Sequence, residues 1–371
     1  MKILSTADNH LGFRQYGLVR REIDIENSFR SILELGVDLG VAAVTVSGDI
    51  LHSVRPTSHT IQFLKTCQEF LEQNELPCLV SIGNHDNSKP HWLRNLSNPG
   101  SNYGFKVLND ELYRVGDLVI YGKTFCSREE FDKGNRLPES IDMLLMHQSF
   151  NELTNFPSEK SFSIEDFENV DARVVVIGDT HIHQSFDVDG MTICSPGSSE
   201  LISESEESDK FVFVHDFSSA VVETESHKIE TRKVIRFELR TEEDVDNALV
   251  ELDAQKSEKP LVFLKFDTEL TDVLGRFRKK VDPTEVTIRP KPIIKTRDGA
   301  VSFEEKEDLT FSDILKELIP DKPSQFELVS QLLNPEADVN SLLDTYVQKR
   351  LEHYEDNPPE EDDDKTIPGP E

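Results

Sequence analysis

The sequence predicts an α/β fold layered in the order αββα. Two observations carry this reading. Apolar strands alternate with amphipathic helices through the first part of the chain, and strands dominate after it. That order is expected of two packed sheets with helices on their outer faces. A third observation points to function: several of the apolar runs end in Asp, Asn or His.

The elements follow in order. MKIL reads as a first strand rather than the start of a signal peptide, having one Lys and a short apolar run. ENSFRSILELGVDLG sets Phe29, Ile32, Leu33 and Leu35 at roughly helical spacing, with Gly36 and Gly40 expected to end the helix. VAAVTVSGD is a buried-type strand, TIQFLKTCQEFLEQ a second amphipathic helix, and LPCLVSIGN a third strand. Further strands are expected at LVIYGK, IDMLLMH, ARVVVIGD, MTICS and FVFVHDF, which makes residues 1–217 one domain. A small α+β domain is expected over 228–300, with strands KVIRFELR and PLVFLKFD around the helix TEEDVDNALVELDAQ, and VTIRPKPIIK as a further strand. Over 308–355, Phe311, Ile314, Leu315, Leu318 and Ile319 form one helical stripe, and Val339, Leu342, Leu343, Tyr346 and Val347 another. Residues 356–371 are a Pro, Asp and Glu tail that cannot build a core.

Composition sets bounds. No run is long and apolar enough to span a bilayer. The scattered cysteines Cys67, Cys78, Cys126 and Cys194 argue against a disulfide framework or zinc ribbon, so a cytoplasmic setting is expected. Lys plus Arg number 40 against 71 Asp plus Glu, a net charge of −31. Taken alone this opposes a nucleic-acid partner, although bound cations reverse the local sign at a site.

The strand ends carry the chemistry. The first ends in Asp8-Asn9-His10, the second in Gly48-Asp49, the third in Gly83-Asn84-His85-Asp86, and later ones in His147 and in Gly178-Asp179-Thr180-His181. Ligands in α/β sheets bind at the carboxyl ends of strands. Any one of these residues alone reads as a cap, a turn or a structural histidine. Together they read as a metal site built from oxygen and imidazole without thiolate, suited to manganese, iron, zinc or magnesium. The ligands exceed one ion's needs, so Asp49 is expected to bridge two ions ~3.5–4 Å apart. Gly48, Gly83 and Gly178 would let the backbone turn so that the side chains converge.

The set DNH…GD…GNHD…H…GDTH resembles the calcineurin-like metallophosphoesterase signature, over residues 1–217. The segment GDILHSVRPTSHTIQFL, with CSPGSSE further on, resembles SbcD-type nucleases, the nuclease subunits of the Mre–Rad (SbcCD) double-strand-break repair complex, of which some viruses encode versions. The resemblance implies a four-layer αββα metallophosphoesterase sandwich with a DNA-capping domain at 228–300. It also implies a helical segment at 308–355 that docks on a coiled-coil SMC-like ATPase, and a homodimer paired through helices near 57–73 and 89–97. One metal would be held by Asp8, His10, Asp49 and the second residue of the final pair, the other by Asp49, Asn84, His147 and the first. His85 would be the catalytic histidine, with Asp86 as its orienting partner, and His52 would stand near the phosphate path; His59 and His91 read as surface residues. The expected function is a DNA exo/endonuclease with two divalent ions, Mn2+ with Mg2+ as the alternative, acting on DNA ends in repair, recombination or replication. The competing readings are a phosphoesterase acting on phosphoproteins or nucleotides, and a scaffold for the ATPase.

GDTHIH departs from the family's G-H-x-H and allows two registers. Asp179 and His181 form the final pair, or His181 and His183 do. Each residue moves an extended chain by ~3.3 Å, so a two-residue shift exceeds a metal–ligand bond. The first register keeps the pair directly after Gly178 and is the one expected, with Asp179 on the second metal, His181 on the first, and His183 near phosphate.

Overall fold

The computed structural model describes residues 1–301, apart from 88–91, 97–99, 133–136, 139, 155–157, 159–160, 168–169, 268, 283–285 and 297–298. The expected helices at 308–355, the tail at 356–371 and His91 lie outside the described residues. Met1–Pro292 form one compact unit. Of the second unit, the last residues of one strand pair antiparallel with Gly299–Val301.

Twelve strands build two six-stranded sheets. They are β1 (Lys2–Thr6), β2 (Ala43–Ser47), β3 (Pro77–Ser81), β4 (Gly104–Leu108), β5 (Glu111–Val115), β6 (Leu118–Gly122), β7 (Met143–His147), β8 (Val174–Gly178), β9 (Gln184–Val188), β10 (Met191–Ser195), β11 (Lys210–Asp216) and β12 (Glu223–Ile229). The first sheet has the order β12-β11-β1-β2-β3-β4 and the second β5-β6-β7-β8-β10-β9. β1, β2, β3 and β4 run parallel, as do β6, β7, β8 and β10.

Alternation along the strands explains the layers. Ile3, Ala43 and Leu79 point to a core shared with Ile120, Met143, Leu145, Val174 and Val176 of the second sheet. Their neighbours Leu4, Val44, Cys78 and Val80 face the helices α1 (Val19–Asp38) and α2 (Ser58–Gln73), meeting Phe29, Leu33, Phe63 and Leu64. The outer face of the second sheet is covered by Phe150 and Phe162, which pair in an isolated β-bridge, and by Phe167 of a short helical turn, with Phe131 of α4 (Arg128–Asp132) beside them. The central strands β2, β3, β7 and β8 are thus buried on both faces, which accounts for their near-continuous apolar runs.

Three expectations need correction. α1 begins at Val19 and does not stop at Gly36. A Cβ there would stand 3.1 Å from a Val44 methyl, so the glycine serves close approach of the helix to β2. Four strands were missed, β4, β5, β9 and β12, and the first sheet continues to Ile229 rather than ending near 217. Of the helix expected near 89–97, the described part is α3 (Trp92–Leu96).

Beyond the sandwich, β13 (Val234–Leu239) pairs in parallel with β14 (Leu261–Asp267) through the crossover helix α5 (Glu242–Gln255). Thr241 and Asp244 cap α5 reciprocally. Val245, Leu249 and Leu252 of α5 pack on Ile235, Val262 and Leu264 and on Phe277 of α6 (Val273–Lys280), a helix the sequence reading missed. The four cysteines are free and buried. Among the described residues no helix is long and apolar enough to cross a membrane.

Candidate metal centre

The residues read from the strand ends converge between the two sheets. Asp8 and His10 follow β1, Asp49 follows β2, Asn84 and His85 follow β3, His147 ends β7, and Asp179 and His181 follow β8. The chain turns abruptly at these positions. Asp8, His10, Asp49, Asp179 and His181 all have positive φ, between 48° and 98°. Non-glycine residues rarely adopt that backbone, and it collects at functional sites where the surroundings enforce it.

The glycines act through space as well as through φ. Gly48 has φ +79°, and a Cβ there would stand 2.3 Å from the His147 ring. At Gly83 and Gly178, where φ is not positive, a Cβ would come within 2.1 Å of Asp49 Oδ1 and 2.2 Å of the Ser47 carbonyl. They permit contact between loops more than they permit turning.

Donor atoms gather in adjoining groups: Asp8, His10 and His181; Asp8, Asp49 and His147; and His10, His52 and His85. His10 Nε2 lies 3.2 Å from His181 Nε2 and 3.9 Å from Asp49 Oδ2. His147 Nε2 lies 3.0 Å from Asn84 Oδ1, 3.3 Å from Asp49 Oδ2 and 3.7 Å from Asp179 Oδ1. Asp49 therefore faces both His10 and His147, and Asp8 is common to two groups. The His147 Nδ1–H donates to the Ser47 carbonyl at 2.9 Å, and the His181 Nδ1–H donates to Glu206 at 2.8 Å. Both rings thus aim Nε2 at the cluster, as metal-binding imidazoles do.

The electrostatics fit a cation. Burial pushes Asp8 up to about 6, against the pull of His181 and His147. Burial also raises Asp179. Burial, then the charge of His181, holds His10 well below the usual histidine range. Burial opposes charge on His147 as well, yet its bond to Asp49 and the nearby carboxylates raise it to about 10. Buried carboxylates share protons with imidazoles here, and a divalent ion would displace those protons. His10 Nδ1 is buried without a hydrogen-bond partner. Oxygen and imidazole donors without a thiolate suit the divalent ions expected from the sequence.

The remaining residues sort by contact. The His85 ring stands in the group with His10 and His52, and its Nδ1–H donates to the His52 carbonyl at 3.0 Å. Asp86 was expected to orient His85. Its oxygens instead accept the Gly83 and Ile50 amides at 2.7 and 2.9 Å, locking the two loops together. His183 was expected near phosphate. Its Nδ1–H donates to the Pro196 carbonyl, its Nε2 meets the Ser226 hydroxyl at 2.7 Å, and its ring stacks on Phe211 and Phe213. Both nitrogens are spent on structure, and the cluster is reached by Asp179 and His181. His59 is half-exposed and pairs with Glu26 at 3.1 Å. Sequence reasoning missed Glu206, hidden in the acidic run SESEESD, which offers no periodic or motif signal.

This sandwich, with its donors at the strand ends, defines a phosphoesterase domain. Residues 1–183 match the calcineurin-like phosphoesterase family, and the N-terminal half of the chain is a domain of that family. The chain is similar to DNA double-strand break repair proteins named Mre11. It is 25% identical to that of Methanococcus maripaludis, over 96% of this chain and 97% of the relative. It is 25% identical to that of Methanocaldococcus jannaschii, over 95% of this chain and 100% of the relative. Against the Haloferax volcanii protein the identity is 25% over 62% of this chain and 53% of the relative, so the chain spans about half the length of that one. All three relatives are archaeal, and none supports a viral origin.

Proposed function

We propose that the chain is a metal-dependent DNA nuclease, the nuclease subunit of an SbcCD/Mre–Rad-type complex that processes DNA ends. The observation that carries this reading is the meeting of Asp8, His10, Asp49, His147 and His181 in adjoining donor groups of a phosphoesterase domain. Similarity to Mre11 proteins over nearly the full chain favours DNA over phosphoproteins or nucleotides as substrate.

Asp8, His10, Asp49 and His181 would hold one divalent ion, and Asp49, Asn84, His147 and Asp179 the other. Such a pair clamps a phosphate and supplies an ionised water for in-line attack. Manganese is the expected ion and magnesium the alternative. His85 is exposed at the mouth of the cluster, and its Nδ1–H is committed to the His52 carbonyl. Its Nε2 is left to meet the substrate, where it would protonate the leaving oxygen. His52, half-buried, stacks beside it with ring centroids 5.3 Å apart and would line the phosphate path.

The net charge of −31 does not extend to every surface. Arg278, Lys279 and Lys280 stand exposed at the end of α6. That local positive run supports DNA capping by the segment at 228–300. The helices at 308–355 would bind the coiled-coil ATPase, and α2 and α3 would pair two copies. Incubation with linear and hairpin DNA, in Mn2+ or in EDTA, tests the assignment. Mn2+-dependent cleavage of DNA is expected. Hydrolysis of a phosphopeptide or a nucleotide with DNA left intact would replace it by the second reading.

A further inference from the structure

The contacts of Glu206 reach beyond the phosphoesterase sheets. Its side chain is only 8% exposed. Oε1 accepts from His181 Nδ1 at 2.8 Å and from the Ser203 amide at 3.0 Å. Oε2 accepts from Lys210 Nζ at 2.6 Å, the Ser198 hydroxyl at 2.8 Å and the Ile202 amide at 3.1 Å. Five donors on two oxygens fix the carboxylate in place. The loop that carries it is gripped from β13. Arg236 donates to the carbonyls of Glu204 at 3.0 Å and Glu206 at 2.8 Å, and to the Ser208 hydroxyl. The same guanidinium lies over the Phe263 ring of β14, 5.5 Å from its centroid.

We infer that Glu206 is a positioning residue for the metal ligand His181, and that Arg236 makes the appended β13–β14 element part of the scaffold of the metal centre. A neutral imidazole has one lone pair. Donation of Nδ1–H to Glu206 fixes the tautomer and turns Nε2 toward His10 and Asp8. An anionic acceptor also makes the ring a stronger ligand, as outer carboxylates do in metal sites. The segment 201–209 contains no strand or helix to hold its shape. Its shape depends on side-chain contacts, and Arg236 supplies three of them. Losing Arg236 lets the loop relax and loosens the carboxylate, and supporting residues matter at the ångström scale in such sites. The metal part of this inference rests on the proposed function; the tautomer of His181 does not.

The test is Mn2+ titration by calorimetry on the full chain, with nitrogen-detected NMR of the His181 ring in EDTA. Glu206→Ala is expected to weaken Mn2+ binding by about 10–100-fold. Glu206→Gln, whose amide oxygen can still accept from His181, should restore part of that loss. Arg236→Ala should weaken binding several-fold, and adding it to Glu206→Ala should cost nothing more. Burial opposes charge on His181, but Asp8 and Glu206 outweigh it and raise the ring to about 8. In EDTA, at a pH well above that value, the neutral ring should carry its proton on Nδ1 in the wild type and lose that preference in Glu206→Ala. Arg236 is exposed, so Arg236→Ala keeps the test open if Glu206→Ala fails to fold. Wild-type affinity and an unchanged tautomer in the Glu206 variants would overturn the positioning role. Wild-type affinity in Arg236→Ala, or additive losses in the double variant, would overturn the link to β13. A wild-type chain that binds no Mn2+ would sink the metal reading alone, since the tautomer still reports the Glu206 bond.

Discussion

His85 and His52 are joined twice, by a hydrogen bond from the His85 ring to the His52 carbonyl at 3.0 Å and by stacking of the two rings 5.3 Å apart. The bond uses backbone, so it survives loss of the His52 ring. His85→Ala should retain bound metal and lose about 10²–10⁴-fold in turnover, the usual range for a lost general acid. His52→Ala should lose less, because the His85 ring keeps its anchor. Single-turnover DNA cleavage with metal analysis of the same samples separates the roles. Loss of metal from His85→Ala would make it a ligand.

Asp179 and His183 decide the register of GDTHIH. Asp179 Oδ1 stands 3.7 Å from His147 Nε2, whereas His183 is stacked on Phe211 and Phe213. Asp179→Ala should release a metal ion and fold normally. His183→Ala should keep its metals and lose on the order of 1 kcal/mol of stability, from the lost hydrogen bond to the Pro196 carbonyl and the lost ring stacking. Metal content and denaturant midpoints of the two variants give the answer, and the reverse pattern would restore His183 as a ligand.

The candidate site was legible because its residues come at the ends of apolar runs, Asp49, Asn84 and Asp179 directly after a glycine, where sequence and space coincide. Glu206 was not, since one carboxylate in SESEESD is chosen only when the loop closes on His181. Three of the missed strands, β5, β9 and β12, share a physical reason, whereas the buried β4 does not. β4, β5, β9 and β12 are the four edge strands of the two sheets. QSFDV and ETESHKI face solvent over much of their length, so they lack the apolar runs that betray central strands. Gly36 misled for the opposite reason: a helix stop in sequence, it is a packing contact in space.

Arg21 is fully buried and ties α1 to the segment after β10. It donates to Gln15 at 2.8 Å, Asp24 at 2.7 Å, Glu200 at 3.3 Å and the Leu201 carbonyl at 2.9 Å. Arg232 adds its own bonds to Asp24 and Glu200. Removing one member of a buried ion network strands the others, at a cost of about 3–5 kcal/mol. Arg21→Ala should show that loss in urea unfolding. A change under 1 kcal/mol would mean that Arg232 alone satisfies the acids.

His215 sets a pH dependence apart from the metal cluster. It is fully buried on β11, its Nδ1 lies 2.9 Å from the Thr224 hydroxyl, and its Nε2 has no hydrogen-bond partner. Burial drives its pKa down to about 3. The native ring is therefore neutral across most of the acid range, while the unfolded ring takes a proton below its ordinary value of about 6.5. The unfolded state then binds more protons, so stability rises with pH in this window. The contribution is complete above about pH 6.5 and is lost as pH falls toward 3, by at most about 1.4 kcal/mol per pH unit. Carboxylates and other histidines titrate in the same range, so the wild-type slope does not isolate the effect. The difference from His215→Gln does. Unfolding free energies at pH 7.5, 6.5, 5.5 and 4.5 should fall more steeply for the wild type than for the variant, with the gap opening only below about pH 6.5. Parallel curves for the two proteins would show that His215 is protonated in the native state or reached by water.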